Sequence, residues 1–333
     1  MLKKIDPSSL EVGMYVILPV SWLKHPFFKS SFLIKNRGDI DRILAYGFSE
    51  VTIDTAKGAS FPNVDTISHG MEQPRGKEVA FQTSWTPETI IPEALKEAIS
   101  DHRMPYEKKA NAVYTASVEM MKRLIEDPKA ENIREVKEEI ADVVDWILSD
   151  DQTTRHMLKI TTHDFYTYTH SVNVGILGVM LSKKFFVNHD DAHNMHELGA
   201  GFFLHDLGKV KVDPAIINKV GKLTDEEMKK MRIHPYQGYL MLKEAGQLSE
   251  ESRTIILQHH ERNDGNGYPR RLRGRDIHPY GRIGCIADVY DALTAVRSYK
   301  PKLSPFEALR VMKDEMINHF EKDLFEQFVL LFQ

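Results

Sequence analysis

A mainly α-helical fold is what this sequence predicts, with a large all-α domain behind a small α/β module. Three observations carry it. From about Pro92, apolar residues recur at helical spacing almost to the C-terminus. Within residues 1–58, short β-prone runs flank a single helical one. Between these regions, residues 59–91 are dominated by Pro, Gly, Ser, Thr and charged side chains with no sustained period, the texture of a linker. The expected organisation is a module over 1–58, a linker over 59–91, connecting helices over 92–150 and a catalytic domain over 151–333.

In the module, residues 14–18 form a β-prone run after Gly13. Ile40, Ile43 and Leu44 have helical spacing, and Val51-Thr52-Ile53-Asp54 alternates like a strand. Trp22, His25, Pro26 and Phe27 read as a satellite core rather than a ligand site. Val113, Met120, Met121 and Leu124 mark a helix over 105–126, and Ile133, Val136, Ile140, Val143, Val144, Ile147 and Leu148 line one face of the next. These two helices are expected to cover the core or to contact a second copy of the chain.

A long helix is expected over 154–186 with His170 inside it, and another over 190–205 that ends on His205-Asp206. Thr224 with Glu227 is a capping-box pair, so a helix should start near Asp225 and carry His234 close to its end. Residues 255–260 read as a helix tail, whereas Asn263-Asp264-Gly265-Asn266-Gly267 must be a loop. Residues 282–297 are helical in pattern and set Asp288 and Asp291 on neighbouring turns. Ser304-Pro305-Phe306-Glu307 supplies the cap, the first-turn Pro and the acid of a helix start.

Composition excludes several classes. Of 333 residues, 42% are apolar, enough for a sizeable core, and the net charge of −4 gives no footprint for a nucleic-acid polymer. The single cysteine, Cys285, excludes an internal disulfide and fits a reducing compartment. No apolar stretch approaches the ~20 residues of a membrane span. The first residues lack a signal-peptide core, so a cytoplasmic location is expected. There is neither an internal repeat nor a Gly-rich phosphate loop.

The chemistry gathers around Phe202-Phe203-Leu204-His205-Asp206-Leu207-Gly208-Lys209. A lone His-Asp doublet is usually a cap, but here His170, His234, His259-His260 and Asp288 accompany it. Two ligand sets can be drawn: His170, His205, Asp206 and Asp288 for one ion, and Asp206, His234, His259 and His260 for a second. Asp206 serves both because a carboxylate can bridge cations and a neutral imidazole cannot. Imidazole and carboxylate without thiolate favour iron, then manganese, over a structural zinc. Two such ions suit phosphodiester hydrolysis by an activated hydroxide. Lys209, four residues after His205 and on its helical face if the helix runs that far, could hold a phosphate oxygen, as could Arg297 and Lys300.

His205-Asp206-Leu207-Gly208-Lys209, Gly221-Lys222-Leu223-Thr224, residues 231–235, the segment His259-His260-Glu261-Arg262-Asn263-Asp264-Gly265-Asn266-Gly267-Tyr268-Pro269 and residues 282–300 together resemble the HD-GYP domain, a bacterial branch of the HD metal-dependent phosphohydrolases. The resemblance covers roughly 150–333. Residues 1–58 resemble a small domain that often precedes it. The resemblance implies an HD-type helical catalytic domain and a phosphodiesterase that opens the second messenger cyclic di-GMP to pGpG, GMP or both. It carries metal ligation onto the seven residues above, phosphate binding onto Lys209, Arg297 and Lys300, and substrate contact onto Gly267, Tyr268 and Pro269. Tyr268 offers a stacking face for a guanine. Asp206 and Lys209 are the expected catalytic pair. Tyr166 stands where some members carry a Glu for a third ion, so two ions are expected. Arg271 replaces a usual Gly, Val220 and Ser298 a usual Pro.

His189, His193 and His196 have metal-like spacing, but a polar helix face explains them as well. Arg270, Arg271, Arg273 and Arg275 read as a solvated run that could steer an anionic substrate. The same site could act on hybrid cyclic GMP-AMP, or the domain could sense a dinucleotide with little turnover. The partners expected are a cyclic dinucleotide and, through the N-terminal module or the Gly-Tyr-Pro loop, a second copy or another signalling protein.

Overall fold

The computed structural model describes residues 2–18, 31–57 apart from 35, 47, 49 and 56, 90–160 apart from 102 and 150, 167–186, 193–219, 221–295 and 303–332. The main segment of a first compact unit is Met1–Thr89, and a second is formed by Ile90–Lys219 and Leu223–Gln333.

The first unit carries an antiparallel sheet of β1 (Leu2–Ile5), β2 (Tyr15–Ile17), β3 (Ser31–Leu33) and β4 (Val51–Asp54), in the order β1-β4-β2-β3, with one helix, α1 (Arg37–Tyr46). Val51 and Ile53 point inward while Thr52 and Asp54 do not, as a period of two requires. Val16 pairs with Ile53, and Ile40 and Ile43 of α1 join both in one core with Leu10, Leu18 and Ile34. The Trp22–Phe27 cluster lies outside the described residues.

The second unit is helical: α2 (Glu93–Ser100), α3 (Tyr106–Glu126), α4 (Ala130–Ser149), α5 (Asp151–Ile160), α6 (Thr167–Phe186), α7 (Met195–Phe203), α8 (Pro214–Ile217), α9 (Asp225–Met231), α10 (His234–Glu244), α11 (Glu250–Gln258), α12 (Pro279–Thr294), α13 (Pro305–Glu315) and α14 (Lys322–Val329). The apolar stripes of α3 and α4 are buried as their spacing predicts, apart from the half-buried Leu148. Every residue of α6 from Thr169 to Ser182 is buried, and α3, α4, α7, α12 and α14 pack around it. A helix without a polar face must be central.

Some boundaries differ from expectation. The helix expected over 154–186 is described as α5 and α6, with 161–166 outside the described residues. α7 starts only at Met195, because Asn194 caps it by accepting from the Glu197 amide. It stops before the His205-Asp206 doublet, which occupies a turn leading into a 3-10 segment, Leu207–Lys211. His234 does not end α9; it opens α10. Pro235 lacks the N–H that would continue α9 and sits in the first turn of α10, where no donor is needed. α12 ends at Thr294 rather than 297, and residues 296–302 lie outside the described ones.

Close helix approach puts the doublet where it is. A Cβ at Gly175 would fall 2.3 Å from the Phe203 ring, and one at Gly178 would fall 2.5 Å from the Phe202 ring. Both phenylalanines are fully buried. The end of α7 therefore rests on bare backbone of α6 and brings His205 to His170. Gly208 makes a second such contact: its Cβ would lie 2.0 Å from the His234 carbonyl oxygen. Gly178→Ala should lower the unfolding free energy by about 1–3 kcal/mol, since the buried ring has nowhere to retreat. Urea denaturation measures this, and an unchanged midpoint would mean that Phe202 repacks freely.

Candidate metal centre

Five elements contribute to one buried cluster. His170 comes from the first turn of α6, and His205 and Asp206 from the turn after α7. His234 is the first residue of α10, His259 and His260 follow the end of α11, and Asp288 lies on α12. All but His260 and Asp288 are almost fully buried. His205 Nε2 lies 3.3 Å from His170 Nε2, and His234 Nε2 lies 3.3 Å from His259 Nε2. Asp206 stands between the two pairs. Its Oδ2 is 3.4 Å from both His170 and His205, and its Oδ1 is 3.2 Å from His234 and 3.8 Å from His259. Asp288 joins the halves, with Oδ1 3.1 Å from His170 Nε2 and Oδ2 3.3 Å from His260 Nδ1. The seven residues singled out in the sequence thus converge.

Hydrogen bonds on the far side of the rings fix what they present. His205 Nδ1 donates to the Phe202 carbonyl at 2.7 Å, His234 Nδ1 to that of Met231 at 2.8 Å, and His259 Nδ1 to that of Ile256 at 2.9 Å. A carbonyl only accepts, so each of these rings carries a proton on Nδ1, and the rings of His234 and His259 aim a bare Nε2 inward. The facing lone pairs of His234 and His259, 3.3 Å apart, repel. Asp206 Oδ1 is buried with no hydrogen-bond partner. A cation is what satisfies an orphaned carboxylate oxygen among converging imidazole lone pairs. The residues fit: Asp206, His234, His259 and His260, and likewise His170, His205 and Asp206, each offer ligand atoms within 4.8 Å of one another. This is the donor set of a divalent-metal centre.

The electrostatics agree. Burial pushes His234 down to about 3 and also lowers His259, so these rings stay neutral. For Asp206, burial opposes ionisation, but Lys209, His205 and His234 outweigh it and hold the carboxyl well below its usual range. Asp288 behaves likewise, with His260 and His170 prevailing over burial. His170 differs: burial opposes its charge, yet Asp288 and Asp291 lift it to about 9. Lys209 is not on a helical face shared with His205, as α7 has ended. From the 3-10 turn its ammonium bonds Asp206 Oδ2.

The loop after His260 is braced from within. Glu261 is 1% exposed, and its two carboxylate oxygens accept from the amides of Arg270 at 2.7 Å and Leu272 at 2.9 Å. A Cβ on Gly267 would lie 2.4 Å from the Arg262 nitrogen, so only glycine fits there. Arg271 adopts a φ of 57°, the left-handed region where glycine is at ease. Tyr268, joined to Pro269 by a cis peptide, lays its ring 4.6 Å from that of His260, and the Arg232 guanidinium lies 5.2 Å from the ring centre. Arg270, Arg271, Arg273 and Arg275 are exposed.

His193 and His196 do not form a site. His193 precedes α7, stacks on Phe186 and meets the Tyr280 hydroxyl, whereas His196 pairs with Asp145. His189, Tyr166, Arg297 and Lys300 lie outside the described residues. Sequence reasoning gave no role to Glu261, Asn173 or Asp291. A faint signal existed for the last two, since Asn173 follows His170 by three residues and Asp291 follows Asp288 by three.

Family models match two parts of the chain: an HD domain over residues 154–324, and a domain of unknown function, DUF3391, over 2–138. The second extends beyond the module expected over 1–58, into α4. The chain is 33% identical over 332 residues to the cyclic di-GMP phosphodiesterase PA4108 of Pseudomonas aeruginosa, covering 99% of this chain and 76% of that protein. A cyclic di-GMP phosphodiesterase of Vibrio cholerae is 41% identical over 132 residues, 38% of this chain and 27% of its own length. The 3'3'-cGAMP-specific phosphodiesterase 2 of the same organism is 41% identical over 124 residues, 37% of this chain and 24% of its own. Among solved structures, Bd1817, an HDG"Y"P protein from Bdellovibrio bacteriovorus, superposes with a TM-score of 0.57 at 16% identity, over 98% of each chain, which shows a shared fold.

Glu261→Gln should free the loop. The amide supplies one oxygen where two are needed, so either the Arg270 or the Leu272 N–H loses its acceptor, at a cost of about 1–3 kcal/mol. Hydrogen exchange at these two amides should accelerate. Unchanged protection at both would mean that the loop is held from elsewhere.

Proposed function

The chain belongs to the HD-GYP family of HD-domain phosphodiesterases, and from that premise we propose that it hydrolyses cyclic di-GMP to pGpG, GMP or both, in the cytoplasm. The observation that carries this reading is Asp206, whose two buried oxygens face two separate pairs of histidines. His170, His205, Asp206 and Asp288 would hold one cation, and Asp206, His234, His259 and His260 another. Bound there, two divalent ions supply an acidified water and neutralise phosphoryl charge. The thiolate-free donor set supports iron first and manganese second.

The chain's own residues do the rest. Lys209 is assigned to a phosphate oxygen: its ammonium stands beside Asp206 and its side chain keeps 17% of its surface open. Gly267, Tyr268 and Pro269 are assigned to the substrate, with Arg297 and Lys300 added on the resemblance alone. Because His260 and Arg232 already attend the Tyr268 ring, a guanine would displace the guanidinium or meet the ring edge. No side chain is assigned as acid to the departing 3′ oxygen, which leaves solvent for that role. Residues 1–58 are assigned to regulation or to contact with a second copy. Among the described residues, no helix is long and apolar enough to cross a membrane.

A second reading, hydrolysis of hybrid cyclic GMP-AMP, draws support from the likeness of the catalytic part to enzymes named for that substrate. The match to PA4108 over nearly the whole chain favours cyclic di-GMP. Competition between the two dinucleotides, on protein purified anaerobically and assayed for bound metal, separates them. Saturable binding with negligible turnover would point instead to a sensor.

Asp206→Asn should abolish hydrolysis and lower the content of both ions, and loss of one ion alone would contradict the bridge. Lys209→Ala should keep both ions and lose about 10²–10³ in rate, the usual loss of one transition-state donor. A metal-free Lys209→Ala protein would show that the ammonium is structural.

A further inference from the structure

Behind His170 lies a buried chain of polar groups that ends on a different helix. His170 Nδ1 donates to Asp291 Oδ2 at 2.7 Å. Asn173 Nδ2 donates to the other oxygen, Asp291 Oδ1, at 2.6 Å, and the Tyr114 hydroxyl donates to Asn173 Oδ1 at 2.9 Å. His170, Asn173 and Asp291 are 3%, 1% and 1% exposed, and Tyr114 is 8% exposed. The arrangement has two layers between α6 and α12. His170 faces Asp288 in one, and one turn further along each helix Asn173 faces Asp291 in the other. Tyr114 closes the second layer from α3.

The chemistry of these groups sets the direction of control. The Asp291 carboxylate only accepts, so it draws the amide N–H₂ of Asn173 toward itself and leaves the amide oxygen facing α3. The Tyr114 hydroxyl supplies the donor that this oxygen needs. With both its oxygens engaged, the carboxylate cannot rotate, and neither can the imidazole it holds. A carboxylate behind an imidazole also makes the opposite nitrogen a better electron donor. His205, His234 and His259 have no such dependence, since main-chain carbonyls hold their Nδ1 atoms.

We propose that Tyr114 and Asn173 are positioning residues for His170, acting through Asp291, and that they set the metal affinity of the His170 half of the centre without touching the other half. This rests on the reading of His170 as a metal ligand. Tyr114 lies within the segment matched by the N-terminal family model and His170 within the HD domain, so the metal centre is braced from outside the catalytic domain's own segment.

The test is a Mn²⁺ titration of the full-length, metal-stripped protein, followed by calorimetry, beside the thermal midpoint of each variant. Asn173→Leu should weaken one of the two Mn²⁺ sites on the order of 10-fold, the usual scale for lost support behind a ligand. Tyr114→Phe, which keeps the ring and removes only the hydroxyl, should weaken the same site by a smaller factor. Both should leave the second site unchanged. His170→Ala is the reference and should weaken the same site at least as much. If His170→Ala weakens one site while neither Asn173→Leu nor Tyr114→Phe does, the positioning role is wrong and the metal reading stands. Equal weakening of both sites in Tyr114→Phe, in step with a lower thermal midpoint, would assign the network to general stability and also overturn the proposal. If His170→Ala leaves both sites intact, the ligand assignment fails and the proposal with it.

Discussion

Converging lone pairs are the constraint on which this structure turns. The bare Nε2 atoms of His234 and His259 face each other at 3.3 Å beside a carboxylate with an unpartnered oxygen. In a buried setting such a cluster is unfavourable until a positive charge enters it. The fold supplies the rigidity to hold it. α6 is buried on every side, and α7 presses two phenylalanine rings onto its glycines. The turn after α7 lies against the backbone of α10 at Gly208. Each of these contacts leaves no room for a single added carbon, so the ligands cannot drift apart to relieve their repulsion.

The loop bearing Gly267, Tyr268 and Pro269 solves a different problem. It must hold an extended irregular path beside the centre while satisfying its main chain. Glu261 does this with one side chain, immediately after the ligand His260, so the loop and the cluster share an anchor. The Tyr268 amide also returns to the His260 carbonyl at 3.1 Å. The geometry of the loop is therefore tied to that of a candidate ligand rather than to the solvent-exposed arginines that follow.

Legibility in the sequence followed burial. In the sheet, the two inner strands β2 and β4 were readable because Val16, Val51 and Ile53 alternate with less buried neighbours. The two strands that gave no signal, β1 and β3, are its edges. β1 buries almost nothing, and a short polar edge strand has no pattern to reveal. In the helical unit, His205, Asp206, His234, His259 and His260 stood out at helix ends marked by caps, Pro and Gly, whereas Asp288 lies inside α12. Helix lengths were overestimated where a cap such as Asn194 or a break such as Pro235 intervened. The braces were hidden for another reason. Tyr114 is 59 residues from Asn173, which is 118 from Asp291, and no local spacing encodes such partners.

The difference between main-chain and side-chain support has a consequence for how this centre can diverge. A carbonyl behind an imidazole survives any point substitution at its own position, because every amino acid has one. The orientations of His205, His234 and His259 are thus protected against most genetic change that spares the backbone. The orientation of His170 is heritable in the ordinary way, through codons for side chains on α3, α6 and α12. Lineages of this fold can therefore drift in the grip of one half of the centre while the other stays constant, and the variation should be sought in the helices behind His170 rather than among the ligands themselves.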